Sequence, residues 1–165
     1  MHLWQTLVEL GRRGALWGNV VDMPLTGTYL RTLDDKRRLA VPKRLRDDFG
    51  DPSLEFLYIA PGTDRSLVAY SPAGFAEFGT RFAGKSSHQN YLRLFYSSAE
   101  RVDFDGQGRI RIPDRLAEYA ALQHDAYLLG VQDHAEIWDK TTWDAFSGRL
   151  TPEFDRLANE AFLAS

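Results

Sequence analysis

The chain has no cysteine among its 165 residues. That excludes a disulfide framework, a thiolate nucleophile and a thiolate metal centre. It also fits a reducing, cytoplasmic setting. Histidine is scarce, and His2, His88, His124 and His134 show no metal-ligand spacing. An excess of positive charge is missing as well: the net charge is −3. The global balance therefore does not advertise a nucleic-acid binder, and any such function must rest on cations gathered locally. No apolar run approaches the ~20 residues of a membrane span, so no membrane partner is expected. Neither a Ser-His-Asp pattern nor a Gly-rich phosphate loop of recognised type is visible. No catalytic constellation, and hence no enzyme and no cofactor, is expected.

What the chain does have is one stretch written twice. Asp34-Asp35-Lys36-Arg37-Arg38-Leu39-Ala40-Val41-Pro42 returns as Asp105-Gly106-Gln107-Gly108-Arg109-Ile110-Arg111-Ile112-Pro113. The offset is 71 throughout: 105 − 34, 109 − 38 and 113 − 42, continuing to Arg44/Arg115 and Leu45/Leu116. A constant offset near half the chain length means two copies of one small unit. The apolar share of 44% and charged share of 26% are those of a globular protein. Each half alone would make a marginal core.

Each copy reads as a strand, a turn, a strand, a short helix, two further strands and a helix. In the first copy, Gly27 to Leu33 is rich in β-branched and aromatic residues, as strands are. Asp34 to Arg37 forms the turn, and Arg38 to Val41 alternates as a half-buried strand does. Pro42 suits the first position of a helix, which Gly50 and Pro52 end. Leu54 to Ala60 and Leu67 to Tyr70 are strands. Ser71-Pro72 then starts a helix whose Phe75, Phe78 and Phe82 make one apolar stripe. A helix is expected from Ser86 or Ser87 through Tyr96. The second copy repeats the series, with Asp139 capping a helix through Trp143 and Phe146. Here Tyr70/Trp138 and Phe75/Trp143 differ by 68, so three residues are lost in a turn, where length changes are best tolerated. These aromatics are expected in the core rather than as base-stacking platforms. The C-terminal helix starting at Thr151-Pro152-Glu153 has Phe154, Leu157, Ala158, Ala161 and Phe162 on one side, a stripe that needs a partner surface.

Residues 1–22 stand outside the repeat. Leu3, Leu7 and Leu10 have helical spacing, which allows a short helix docking on a neighbouring subunit. An extension ahead of a start at Met23 is the alternative. Arg12-Arg13 lacks the long apolar segment that an export signal needs.

An Asp and an Arg four apart across a turn can clamp it, the carboxylate accepting backbone N–H groups while pairing with the Arg. A clamp needs one Arg, yet Lys36, Arg37, Arg38, Lys43, Arg44 and Arg46 give six cations and no anion between 36 and 46. In an acidic chain this is a local basic patch of the phosphate-binding kind. A solvated helix face is the plainer alternative. The second copy is less basic, with Arg109, Arg111 and Arg115 set against Asp105 and Asp114. Gly106 and Gly108 make its turn compact; Arg37 stands where Gly108 stands, so either that backbone is strained or the two turns differ.

The paired Asp-x-x-x-Arg motifs, each followed by apolar-x-apolar-Pro, resemble those of the MraZ family of bacterial transcription regulators, from about Met23 to the C-terminal helix. The resemblance implies an α+β fold: two tandem AbrB-like (swapped-hairpin) ββαββα units forming a pseudo-two-fold β-barrel with peripheral helices. It divides the chain into an N-terminal extension (1–26), a first unit (27–85), a linker helix (86–98), a second unit (99–150) and a C-terminal helix (151–165). It implies a sequence-specific regulator, usually a repressor, of the division and cell-wall gene cluster. The expected partners are repeated promoter boxes of double-stranded DNA and further copies of the chain in a ring, acting in the cytoplasm at the nucleoid. Lys36, Arg37, Arg38, Lys43, Arg109 and Arg111 are the expected DNA-binding residues, and Asp34, Asp105 and Gly108 the turn-stabilising ones. Two departures stand out. Arg37 replaces the family's usual glycine, and residues 1–22 have no counterpart. The alternative function is a ring-forming assembly module that binds protein or RNA through the 36–46 patch.

Overall fold

The computed structural model describes residues 23–165; the readings made above for residues 1–22 lie outside them. The fold is α+β, with eight strands in the described residues. The first half supplies β1 (Thr28–Thr32), β2 (Arg38–Ala40), α1 (Lys43–Asp48), β3 (Phe56–Pro61), β4 (Leu67–Tyr70) and α2 (Pro72–Thr80). A 3-10 turn at Ser86–His88 leads into α3 (Gln89–Ser98). The second half supplies β5 (Glu100–Asp103), β6 (Arg109–Arg111), α4 (Asp114–Tyr119), β7 (Asp125–Val131), β8 (His134–Asp139) and α5 (Lys140–Leu150). A second 3-10 turn, Thr151–Glu153, precedes α6 (Phe154–Leu163).

Six strands form one antiparallel sheet in the order β1-β7-β8-β4-β3-β5, and β2 pairs with β6 in a separate two-stranded ribbon. The halves are interleaved. β1 pairs with β7, β5 with β3, β4 with β8 and β2 with β6; the β3–β4 and β7–β8 hairpins are the pairings made within a half. In the ribbon Leu39 faces Ile110, and these two are equivalent in the repeat (110 − 39 = 71). The pseudo-two-fold axis therefore passes between them. At the 68 offset, Val68 and Glu136 meet on the same axis across β4 and β8.

The expected barrel is not closed by hydrogen bonds. The large sheet ends on β1 and β5, and the ribbon packs beside those two edges. The cause lies in the ribbon's short strands. Each is three residues long, hemmed between a turn and a proline that has no N–H to continue a ladder. Pro42 and Pro113 also sit one place earlier than expected. Each is the N-cap residue in an extended conformation (ψ 137° and 141°), and the helices begin at Lys43 and Asp114.

The main core lies between the sheet, the ribbon and the two short helices. Leu39, Leu45, Leu57, Ile59, Leu67, Ile110, Ile112, Leu116, Leu128 and Ile137 are all essentially inaccessible there. Both halves contribute, so neither can complete this core alone. The aromatics pack as expected. Tyr70, Phe75, Phe78 and Phe95 form a cluster under α2 and α3. Trp138, Trp143 and Phe146 form its counterpart under α5. Ser71 and Asp139 cap α2 and α5, accepting from Gly74 N (3.0 Å) and Thr141 N (3.1 Å). The three-residue length change falls in the predicted place: five residues, 62–66, join β3 to β4, while two, 132–133, join β7 to β8.

Candidate nucleic-acid interface

The two repeated turns have one geometry. Asp34 Oδ1 accepts from the backbone N–H of Lys36 (2.9 Å) and of Arg38 (2.8 Å), while Oδ2 takes the Nε–H of Arg38 at 2.5 Å. In the second turn Asp105 Oδ1 accepts from Gln107 N (2.8 Å) and Arg109 N (3.0 Å), and Oδ2 from Arg109 Nε (2.8 Å). The main chain matches too: Arg37 N donates to Asp34 O at 3.0 Å and Gly108 N to Asp105 O at 3.1 Å. Both aspartates are held below the usual carboxylate range, first by the backbone N–H of Arg38 or Arg109, against some burial, then by the guanidinium and the second backbone N–H. They stay ionised at neutral pH.

Arg37 resolves the question its sequence raised. It adopts φ 58°, beside 75° for Gly108, so the turn is kept and the side chain accepts the left-handed backbone. Its guanidinium reaches across the repeat, donating to Asp114 O at 2.9 Å and lying 3.5 Å from the Asp114 carboxylate. That partner could not be found from the repeat pattern, because Asp114 matches Lys43 in the other copy and looks there like simple charge balance.

The turns lie side by side. Arg109 Nη1 is 3.9 Å from Asp34 Oδ2. Between them runs the ribbon. With Leu39 and Ile110 pointing into the core, the alternation puts Arg38, Ala40, Arg109 and Arg111 on its outer face. Arg38 stands opposite Arg111, and Ala40 opposite Arg109. The side chains of Arg38 and Arg109 are about a third exposed and that of Arg111 about two-thirds. Each of the first two meets its aspartate through Nε, and a guanidinium carries five N–H donors, so donors remain for a ligand.

Lys36, Arg37, Arg38 and Arg111 share one shallow depression of about 630 Å³ with Asp35, Asp114 and Glu118. The run from 36 to 46 does not form one patch. Lys43 pairs with Asp47 at 2.7 Å on α1. Arg46 lies 4.0 Å over the ring of Phe104 and donates to Leu54 O at 2.9 Å. The structure thus gathers Lys36, Arg37, Arg38, Arg109 and Arg111 around the ribbon, and turns Lys43 and Arg46 to local partners. Among the described residues no group of three His, Asp or Glu side chains could hold a metal ion. No helix among them is long and apolar enough to cross a membrane.

Two interleaved halves, each opening on an Asp-clamped arginine turn, define a tandem swapped-hairpin protein. The comparisons give that class its family. A family model described as "MraZ protein, putative antitoxin-like" matches residues 95–164. A relative from Limosilactobacillus fermentum, named "Transcriptional regulator MraZ", is 35% identical over 136 residues, covering 80% of this chain and 92% of the relative. Relatives of the same name from Moorella thermoacetica (32%; 81% and 94% covered) and Acetivibrio thermocellus (34%; 74% and 85% covered) agree. The chain belongs to the MraZ family. These relatives are named as regulators and not as enzymes.

Proposed function

We propose that this chain is a sequence-specific DNA-binding transcription regulator, in most settings a repressor, that grips duplex DNA with the ribbon and its two turns. The observation that carries the reading is the outer face of β2–β6. Three arginines project from a two-stranded antiparallel ribbon, with an aspartate-clamped turn at each end. A two-stranded ribbon fits the ~12 Å major groove. The clamps fix Arg38 and Arg109 before binding, so less side-chain freedom is lost when phosphates are engaged. The relatives' name supports the same reading.

One chain offers few cations, and three acidic residues share the depression with them. Affinity then has to come from several chains acting on several boxes. The chain forms a ring whose repeated ribbons meet repeated promoter boxes, ahead of the division and cell-wall genes. Linkage of modest contacts raises avidity by roughly a hundredfold or more when the spacing allows it. Exposed apolar side chains support the assembly: Tyr91 and Leu94 on α3, and Phe154, Phe162 and Leu163 on α6. Such a regulator works in the cytoplasm, at the nucleoid.

The experiment is a fluorescence anisotropy titration of the upstream duplex against random duplex, with Arg111→Ala and Arg38→Ala. Among the described residues the Arg111 guanidinium makes one ion pair, 3.8 Å from the Asp114 carboxylate, and belongs to neither clamp, so its loss leaves the turns intact. Both variants are expected to lose at least about tenfold in affinity while keeping the wild-type assembly size in gel filtration. Wild-type affinity in both, or equal binding to cognate and random duplex or to RNA, refutes the reading.

A further inference from the structure

The two turns share a backbone and an Asp–Arg clamp and differ in the three residues between them. At the constant offset of 71, Asp35 is replaced by Gly106, Lys36 by Gln107 and Arg37 by Gly108. Lys36 and Gln107 occupy the same place. Each donates its backbone N–H to the clamping aspartate, at 2.9 and 2.8 Å, and each is exposed at the tip. The first tip is broad and charged, with Arg37 tied to Asp114. The second is narrow, a single polar side chain between two glycines. Among the described residues a Cβ at Gly106 would meet nothing within 4 Å, so no packing among them calls for glycine there. What the bare position leaves open is the approach from outside.

The chemistry of the two tip side chains separates them. An ammonium group has three donors and no acceptor, and reaches any phosphate oxygen equally. A carboxamide has a donor and an acceptor in one plane, which matches adenine N7 and N6 in the major groove, and adds no net charge. The bases of the two turns stand close together. Arg38 and Arg109 are two residues apart along the ribbon, about 7 Å, so the two turns border one outer face from its two ends.

We propose that the pseudo-symmetric turns divide the work. Gln107 on the glycine-flanked turn reads an adenine edge and sets sequence preference, while Lys36 on the charged turn holds the phosphate backbone. This rests on the DNA-binding reading above. The chain is therefore symmetric in fold and asymmetric in readout: each chain carries one reading turn and one anchoring turn.

The test is selection from a randomised duplex pool with the full chain, wild type, Gln107→Ala and Lys36→Ala, followed by anisotropy titrations at several salt concentrations. Gln107→Ala should lose one A·T position from the selected motif. Its affinity for the wild-type motif should fall roughly tenfold, with unchanged affinity for random duplex and an unchanged salt slope. Lys36→Ala should keep the motif, weaken both duplexes alike, and reduce the salt slope by about 1. A Gln107→Ala chain that selects the full wild-type motif overturns this assignment and leaves the DNA-binding reading standing, as does one that weakens cognate and random duplex equally. A wild-type chain that selects no motif overturns both.

Discussion

Replacing Arg37 by Gly and, separately, by Ala isolates the energy stored in the first turn. Both variants lose the same guanidinium, with its 2.9 Å bond to Asp114 O and its 3.5 Å ion pair. They differ only in what a Cβ costs at φ 58°. A left-handed backbone costs a residue with a Cβ about 1–2 kcal/mol, and glycine gives back ~0.5–1 kcal/mol through its freer unfolded chain. Arg37→Gly should therefore be the more stable by roughly 0.5–1 kcal/mol, or about 2 °C in Tm for a chain of this length. Gly108→Ala is the mirror experiment. Its φ is 75°, and an added Cβ would come no nearer than 3.8 Å to Arg46. Any loss there is backbone strain and not a clash, and a loss of similar size is expected. Gly106→Ala is the control, since its φ lies outside the left-handed region and its Cβ meets nothing; it should be neutral or slightly stabilising. The assay is thermal unfolding followed by circular dichroism at one fixed chain concentration, because assembly makes Tm concentration-dependent. Arg37→Ala matching or exceeding Arg37→Gly would refute the reasoning. In duplex binding the two Arg37 variants should be equal.

Three further outcomes are expected. Ile110→Ala, on the pseudo-two-fold axis and 1% exposed, should cost about 2–5 kcal/mol in urea unfolding, as cavities in well-packed cores do; a cost below about 1 kcal/mol would mean that the ribbon is not part of the core. His134 lies between Asp133 (2.7 Å) and Glu136 (3.4 Å). Burial opposes its charge, yet the bonds to Glu136 and Asp133 raise its pKa above the ordinary 6.5. The raised folded-state value means that its contribution is complete below pH 6.5 and fades as pH climbs through that value. The Tm gap between wild type and His134→Gln should accordingly narrow from pH 6 to pH 9, and a gap that widens would contradict this. Asp34 and Asp105 titrate below 3.8 in the fold, so their support persists above that pH and is lost as acid takes it through the lowered values. Asp105→Asn should therefore lower Tm at pH 7 and close on wild type towards pH 3, measured by the same unfolding assay.

Much of this protein was written in its sequence, because a repeat is a local signal. The 71-residue offset marked the turns, their clamping aspartates, and the Leu45/Leu116 and Leu39/Ile110 pairs that the core later buried. The three-residue slip to 68 placed the hairpin deletion correctly, since strand period and turn chemistry are set by near neighbours. Ser71 and Asp139 caps were legible for the same reason. The tertiary structure decided the rest. No local pattern tells β1 to pair with β7 instead of with a strand of its own half, for that choice depends on which faces remain to be buried once the other half is present. It also decided that the ladder stops at β1 and β5. Charges were the other thing the sequence could not sort. Six cations within eleven residues looked like one patch, but Arg46 turned to Phe104 and Lys43 to Asp47, while Arg109 and Arg111 crossed from the second half to stand beside Arg38. A side chain's charge is a property of the sequence; the company it keeps is fixed by strand register, and register is settled only when the whole core closes.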